Sequence, residues 1–227
     1  MTVRTESHFF GRRKGKALRA HQASLMDRLL PQLRVKPADL SAATPSMFGE
    51  FSDLWLEIGF GGGEHLASDA LAHPDVCYIG CEPFVNGVAK LLASIEANRT
   101  SNIRIHDGDA LEVLEVLPPA SLGRVTILYP DPWPKVRQKK RRFISPRSVG
   151  LIAQALRPGC ELRFATDIDD YSAWTLAHLA ACSAFEWRAA EAADWRTPWT
   201  GWPGTRYEAK ALREGRTPAY LTFIRKD

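Results

Sequence analysis

The sequence predicts an α/β fold, with a central, mostly parallel seven-stranded sheet and helices on both faces. Three observations predict it. Short apolar runs alternate with stretches of helical length along most of the chain. The first of these runs ends in a cluster of glycines. Successive runs end in acids, at the strand ends where open α/β sheets place their ligand-binding residues.

The elements follow in order. Between Ala17 and Leu33, the residues Leu18, Leu25, Met26, Leu29, Leu30 and Leu33 suggest one helix, which stops near Pro37. Residues 34–50, with Pro37, Pro45 and Gly49, read as irregular. Leu54–Ile58 is the first strand and Val76–Cys81 the second, with a helix-length stretch between them. Val85, Val88, Leu92 and Ile95 recur at helical spacing. Asn102–His106 is the third strand, and Leu111, Leu114 and Leu117 mark the helix after it. Arg124–Tyr129 is the fourth strand. A helix over about residues 146–156 stops at Arg157-Pro-Gly159, and Cys160–Thr166 follows as the fifth strand. A further helix covers roughly 170–183, and Phe185–Arg188 and Ala219–Arg225 close the sheet.

A domain takes about 100–200 residues, so residues 17–227 are expected to form a single domain behind a flexible basic arm, residues 1–16. With 45% hydrophobic and 25% charged residues, the chain is neither disordered nor collagen-like. No apolar run approaches the ~20 residues of a membrane span. The start of the chain lacks the apolar stretch of a secretory signal. Cys77, Cys81, Cys160 and Cys182 contain no Cys-x-x-Cys pair, which argues against a zinc site or disulfide framework and for a reducing cytoplasm. The six histidines are scattered without metal-ligand spacing, so no metal is expected. A monomer is the plain expectation.

The net charge of +4 hides a lopsided distribution. Residues 1–20 carry six Lys/Arg against one acid, and residues 135–142 carry six more and no acid. The remainder has 18 bases against 25 acids. Two basic segments on an acidic body point to a polyanionic partner such as nucleic acid.

Glu57-Ile-Gly-Phe-Gly-Gly-Gly63 closes the first strand and opens a helix. A dinucleotide fingerprint beginning at Gly59 would place Glu64 where a small residue is needed beside a pyrophosphate. The pattern acid-x-Gly-x-Gly-x-Gly instead resembles the first motif of class I S-adenosylmethionine methyltransferases, whose donor is cationic and carries no phosphate. Glu57 then attracts rather than repels its ligand. Glu82, ending the second strand, suits both ribose hydroxyls. Asp109, after the third strand, stands where the adenine edge would lie. The fourth strand runs into Asp131-Pro-Trp-Pro-Lys135, a carboxylate held by prolines beside an aromatic wall, comparable to the motif of amino-group and ring-nitrogen methyltransferases.

Together these strings resemble the bacterial single-subunit tRNA (guanine-N7-)-methyltransferase family over roughly residues 7–225. The resemblance rests on Leu56–Gly61, Gly80-Cys-Glu82, Asp131–Lys135 running into Arg137–Arg142, Ala165-Thr-Asp167, Thr205-Arg-Tyr-Glu208 and Gly11–Lys16. It implies a Rossmann-like class I methyltransferase fold and methyl transfer from S-adenosyl-L-methionine to N7 of a guanine in the tRNA variable loop, usually position 46. It implies donor binding by Glu57, Gly59, Gly61, Glu82, Asp109 and Asp131, with Asp131 also catalytic. It implies tRNA binding by Lys135, Arg137, Lys139, Lys140, Arg141, Arg142, Asp167, Thr205, Arg206, Tyr207 and Glu208. The family commonly has His where this chain has Pro134, and often Asn where Lys139 or Lys140 stands; neither change removes a charge.

Trp133, Trp199 and Trp202 are candidates to stack on the target base, with packing in the protein as the competing role. Deleting the arm is expected to hurt tRNA methylation more than donor affinity. A methyltransferase acting on another RNA or on a small molecule would share Glu57, the glycines and Glu82, but a small-molecule enzyme has no use for six bases after the reaction motif. An RNA-binding module without activity would explain the basic segments but not the glycine loop with Asp131.

Overall fold

The computed structural model describes residues 10–227; residues 1–9, more than half of the expected arm, lie outside the described residues. Seven strands form one sheet: β1 (Asp53–Ile58), β2 (Val76–Cys81), β3 (Ile103–His106), β4 (Leu122–Leu128), β5 (Leu156–Thr166), β6 (Phe185–Trp187) and β7 (Ala219–Arg225). Their order is β3-β2-β1-β4-β5-β7-β6, and only the pairings of β7 with β5 and β6 are antiparallel. The chain steps outward from β1 to β3, then returns to lay β4 on the other side of β1. That reversal opens a crevice at the carboxyl ends of β1 and β4, the place where such sheets bind ligands.

The helices are α1 (Ala20–Arg28), α2 (Leu30–Leu33), α3 (Glu64–Ala72), α4 (Val85–Asn98), α5 (Ala110–Leu114), α6 (Pro146–Ala155), α7 (Asp169–Ala180), α8 (Ala193–Arg196) and α9 (Arg206–Arg213). They cover both faces because the strands are buried on both. Val76 and Tyr78 of β2 join one apolar cluster with Leu25, Leu30, Leu66 and Leu91, from α1 to α4. Cys77, Ile79 and Cys81 of the same strand join the other, with Val113, Ile152 and Leu179 from α5 to α7. Period-two alternation thus sends neighbouring residues into opposite layers. Each fully buried leucine contributes about 1.5–3 kcal/mol, so Leu25 helps hold α1 against α4 and Leu30 helps hold α2 against β3.

Two local readings of the sequence are corrected. The single helix expected over Ala17–Leu33 starts at Ala20 and breaks at Leu29, because Pro31 has no N–H to continue the helical ladder. The helix stop at Arg157–Gly159 is right, since α6 ends at Ala155, but those residues belong to β5 rather than to a connector. Leu156 already pairs with Leu122, and the register jumps to Arg124 opposite Glu161. The intervening residues bulge out, with Gly159 at φ +77.

Candidate active site

The glycine turn follows β1 directly. Gly59 has φ +70, and a Cβ built on it meets nothing within 4 Å. A left-handed backbone facing open space leaves room for a ligand against the main chain. Glu82, at the end of neighbouring β2, is clasped by this turn. The Gly61 N–H donates to its Oε2 at 2.7 Å and the Phe84 N–H to its Oε1 at 2.9 Å. Burial raises its carboxyl pKa to about 7, although both N–H groups pull it down; the Asp131 charge adds to the rise. Asp131 therefore stands within electrostatic reach of Glu82.

Glu57 is buried, and His65 Nδ1 lies 2.6 Å from its Oε2. Burial alone would lower the His65 pKa, but the Glu57 charge and hydrogen bond outweigh it and raise it. The His65 ring rests against Trp202, with centroids 5.0 Å apart. Asp109 caps α5, accepting the Leu111 N–H at 3.0 Å, and is also buried. Burial first, then the charges of Asp109 and Glu82, raise the Cys81 thiol, which places these two carboxylates around the end of β2.

Asp131 lies three residues beyond β4, in the loop beside the glycine turn. Tyr129 at φ +47 and Trp133 at φ +41 flank it. Non-glycine residues in this region cost about 1–3 kcal/mol each and persist only where surroundings enforce them. Here the Tyr129 N–H is held by the Ala165 carbonyl at 2.7 Å, and the Pro132 carbonyl accepts from Arg142 Nε at 2.8 Å. Asp131 is open at its own surface, yet the walls of the crevice exclude enough water for burial to raise its carboxyl pKa.

A family model described as "Putative methyltransferase" matches residues 52–221. A tRNA (guanine-N(7)-)-methyltransferase of Mesorhizobium japonicum is 54% identical, over 98% of this chain and 97% of that protein. One of Agrobacterium fabrum is 50% identical over the same shares. The chain belongs to the tRNA (guanine-N(7)-)-methyltransferase family. Among solved structures, the 16S rRNA methyltransferase KamB superposes with a TM-score of 0.54 at 18% identity, over 78% of this chain and 90% of that one. At that identity the likeness establishes the class I methyltransferase fold.

In this methyltransferase the basic run after Asp131 forms a 3-10 turn, Val136–Arg141. Lys135, Arg137 and Lys140 are exposed. Lys139 Nζ lies 2.6 Å from Asp170 Oδ1. The Arg141 guanidinium sits 4.9 Å from the Trp133 ring centroid and 5.3 Å from that of Phe10. Arg142 departs from the expected RNA strip. Its side chain is fully buried, bonded to Pro132 and Asp170 and stacked on Tyr171 and Trp174. A side chain with no exposed surface does not reach a phosphate.

The remaining expected tRNA residues are Asp167, which follows β5, and the Thr205–Glu208 segment at the start of α9. Asp167 Oδ2 accepts from Arg216 Nε at 2.5 Å. Thr205 caps α9 by accepting the Glu208 N–H, and Glu208 is buried between Trp202 Nε1, at 2.7 Å, and the Tyr220 hydroxyl. Arg206 pairs with Glu64. Tyr207 lies over Gly61, where a Cβ would come within 3.3 Å of its ring. This segment therefore lies across the glycine turn. Trp199 and Trp202 pack edge to face with Tyr220, at 5.5 and 5.9 Å, leaving Trp133 as the tryptophan beside Asp131. The described part of the arm lies on the start of α4: Arg13 O accepts the Val85 N–H at 3.0 Å, and Asn86 bonds Gly15 and Lys16.

The fit at α4 is tight enough to test. A Cβ on Gly87 would lie 2.1 Å from the Gly61 carbonyl oxygen. Gly87→Ala is expected to lower stability by about 1–3 kcal/mol through overpacking and to weaken donor binding by displacing the turn. Thermal melts with and without donor measure both, and an unchanged melting temperature and affinity contradict the contact.

Proposed function

We propose that this methyltransferase transfers a methyl group to N7 of a guanine in the tRNA variable loop, position 46. The observation that carries the reading is the juxtaposition of an open glycine turn, a preorganised carboxylate and a basic strip at one crevice. The donor, S-adenosylmethionine, supplies a methyl group on a sulfonium leaving group. The residues fit it: Gly59 offers an open main-chain cradle, and Glu57, Glu82, Asp109 and Asp131 give the crevice the negative character a cationic ligand needs. Glu82 would accept the ribose hydroxyls with the lone pairs its two backbone donors leave free, and Asp109 would serve the adenine amine.

Guanine N7 carries an in-plane lone pair and no proton, so transfer requires no general base. As N7 gains the methyl group, the electron pair of the broken sulfur–carbon bond stays on sulfur and the purine becomes cationic. Asp131 stabilises that developing charge, or accepts from the guanine N1–H and amino group, and its fixed loop keeps reorganisation small. Asp167, at the tip of β5, borders the same crevice. Turning the guanine out of its stack costs a few kcal/mol, and Trp133 stands where it can receive the base.

Lys135, Arg137 and Lys140 bind tRNA phosphates. Replacing any one with Gln is expected to raise the tRNA KM, leave donor affinity unchanged and flatten the log–log salt dependence of tRNA binding by about one unit. A salt response unchanged by all three substitutions contradicts the assignment. The enzyme works in the cytoplasm, a reading supported by four cysteines without a Cys-x-x-Cys pair, and as a monomer. The target atom is tested with a tRNA transcript carrying 7-deazaguanine at the variable-loop position. It is expected to bind and remain unmethylated, whereas methylation of that transcript contradicts the reading.

A further inference from the structure

We infer that Arg142 is a positioning residue for Asp131, anchored by Asp170, and not a ligand of tRNA. The inference rests on the role proposed for Asp131.

The loop bearing Asp131 is pinned at two points. Upstream, the Tyr129 N–H is held by β5 through Ala165. Downstream, the carbonyl of Pro132, the residue next to Asp131, accepts from Arg142 Nε at 2.8 Å. Arg142 is itself fixed on every side. Its Nη1 donates to the Asp170 carbonyl at 3.2 Å and its Nη2 to Asp170 Oδ2 at 2.5 Å. The Tyr171 and Trp174 rings lie 4.7 and 5.2 Å from its guanidinium carbon, and Trp174 is in turn held by its Nε1 on the Ile144 carbonyl at 2.7 Å. A guanidinium suits this task, since its planar fork serves several acceptors at once while its faces stack on rings.

The other oxygen of Asp170 takes Lys139, from the basic turn. One carboxylate therefore joins the RNA-facing turn and, through Arg142, the loop that carries Asp131. The Arg142 side chain has no exposed surface to offer a ligand. It sets where the Asp131 carboxylate stands and helps hold Trp133 in its left-handed conformation.

The test is a double-mutant cycle on full-length enzyme with Arg142→Lys, Asp131→Asn and the pair. Arg142→Lys keeps the charge and loses the fork. It is expected to lower kcat about 10- to 100-fold, the range that displacing a reacting group by an ångström produces, with the tRNA KM and its salt dependence unchanged. On the Asp131→Asn background the same change is expected to cost little more, because the group it positions is already disabled. Additive losses, or a raised tRNA KM at unchanged kcat, overturn the inference. If Arg142→Lys does not fold, Asp170→Asn takes its place in the cycle, with a smaller kcat loss and the same non-additivity expected. Wild-type kcat in Asp131→Asn would instead refute the role of Asp131 itself, which separates the two failures.

Discussion

Replacing Asp131 with Asn is expected to lower kcat for tRNA methylation by about 10²- to 10³-fold, the size of effect seen when one preorganised electrostatic contact to a transition state is removed, with a smaller loss of donor affinity. The substitution keeps the shape of the side chain, removes its charge and turns one acceptor oxygen into an NH2 donor. The purine is neutral before transfer and cationic after it, so in the proposed role the carboxylate acts mainly in the transition state, and its loss is expected to fall on kcat. Asp131→Ala should be at least as damaging. Single-turnover kinetics with saturating donor and tRNA measure the effect. Near wild-type turnover in both variants removes the electrostatic role. Because burial raises the Asp131 pKa, activity should fall on acidification at a pH above the ordinary aspartate range.

Glu82→Ala is expected to raise the donor dissociation constant by about 100-fold or more. Each hydrogen bond to a charged acceptor is worth about 1.5–3 kcal/mol, and two ribose hydroxyls are lost together. The Gly61 and Phe84 N–H groups also lose their acceptor, which loosens the glycine turn. The sign of the pH dependence follows from chemistry. Only the ionised carboxylate accepts both hydroxyls, and its pKa stands at about 7 in the free protein. Donor affinity is thus full above that value and falls as pH drops through it. Titration calorimetry at several pH values measures this. A donor affinity of wild type that is flat with pH, together with an unaffected Glu82→Ala, contradicts the assignment.

Much of the site was legible in the chain. Strand ends can be read from local hydrophobicity, and in a parallel sheet every strand end on the crevice side is a candidate position. Glu57, Glu82, Asp109 and Asp131 stand at such positions, and the structure gathers them at the carboxyl ends of β1 to β4. What stayed hidden depends on partners distant in sequence. Nothing local distinguishes Arg142 from Arg141, yet one is buried and the other half exposed, because only Arg142 meets Asp170, Tyr171 and Trp174 across the turn. His65 carries no motif; the glycine turn folds α3 back so that it meets Glu57. Arg206 and Glu64 are 142 residues apart, so their pairing across the glycine turn has no linear signature. The run of β5 through Pro158 and Gly159 was missed because those residues ordinarily end an element, and here they form a bulge within one.

Labelled methyl transfer to an unmodified tRNA transcript, followed by nucleoside digestion and mapping of the modified site, identifies the base and position methylated. The label is expected in 7-methylguanosine at the variable loop. Label in any other nucleoside, or none in RNA while the protein binds donor, contradicts it.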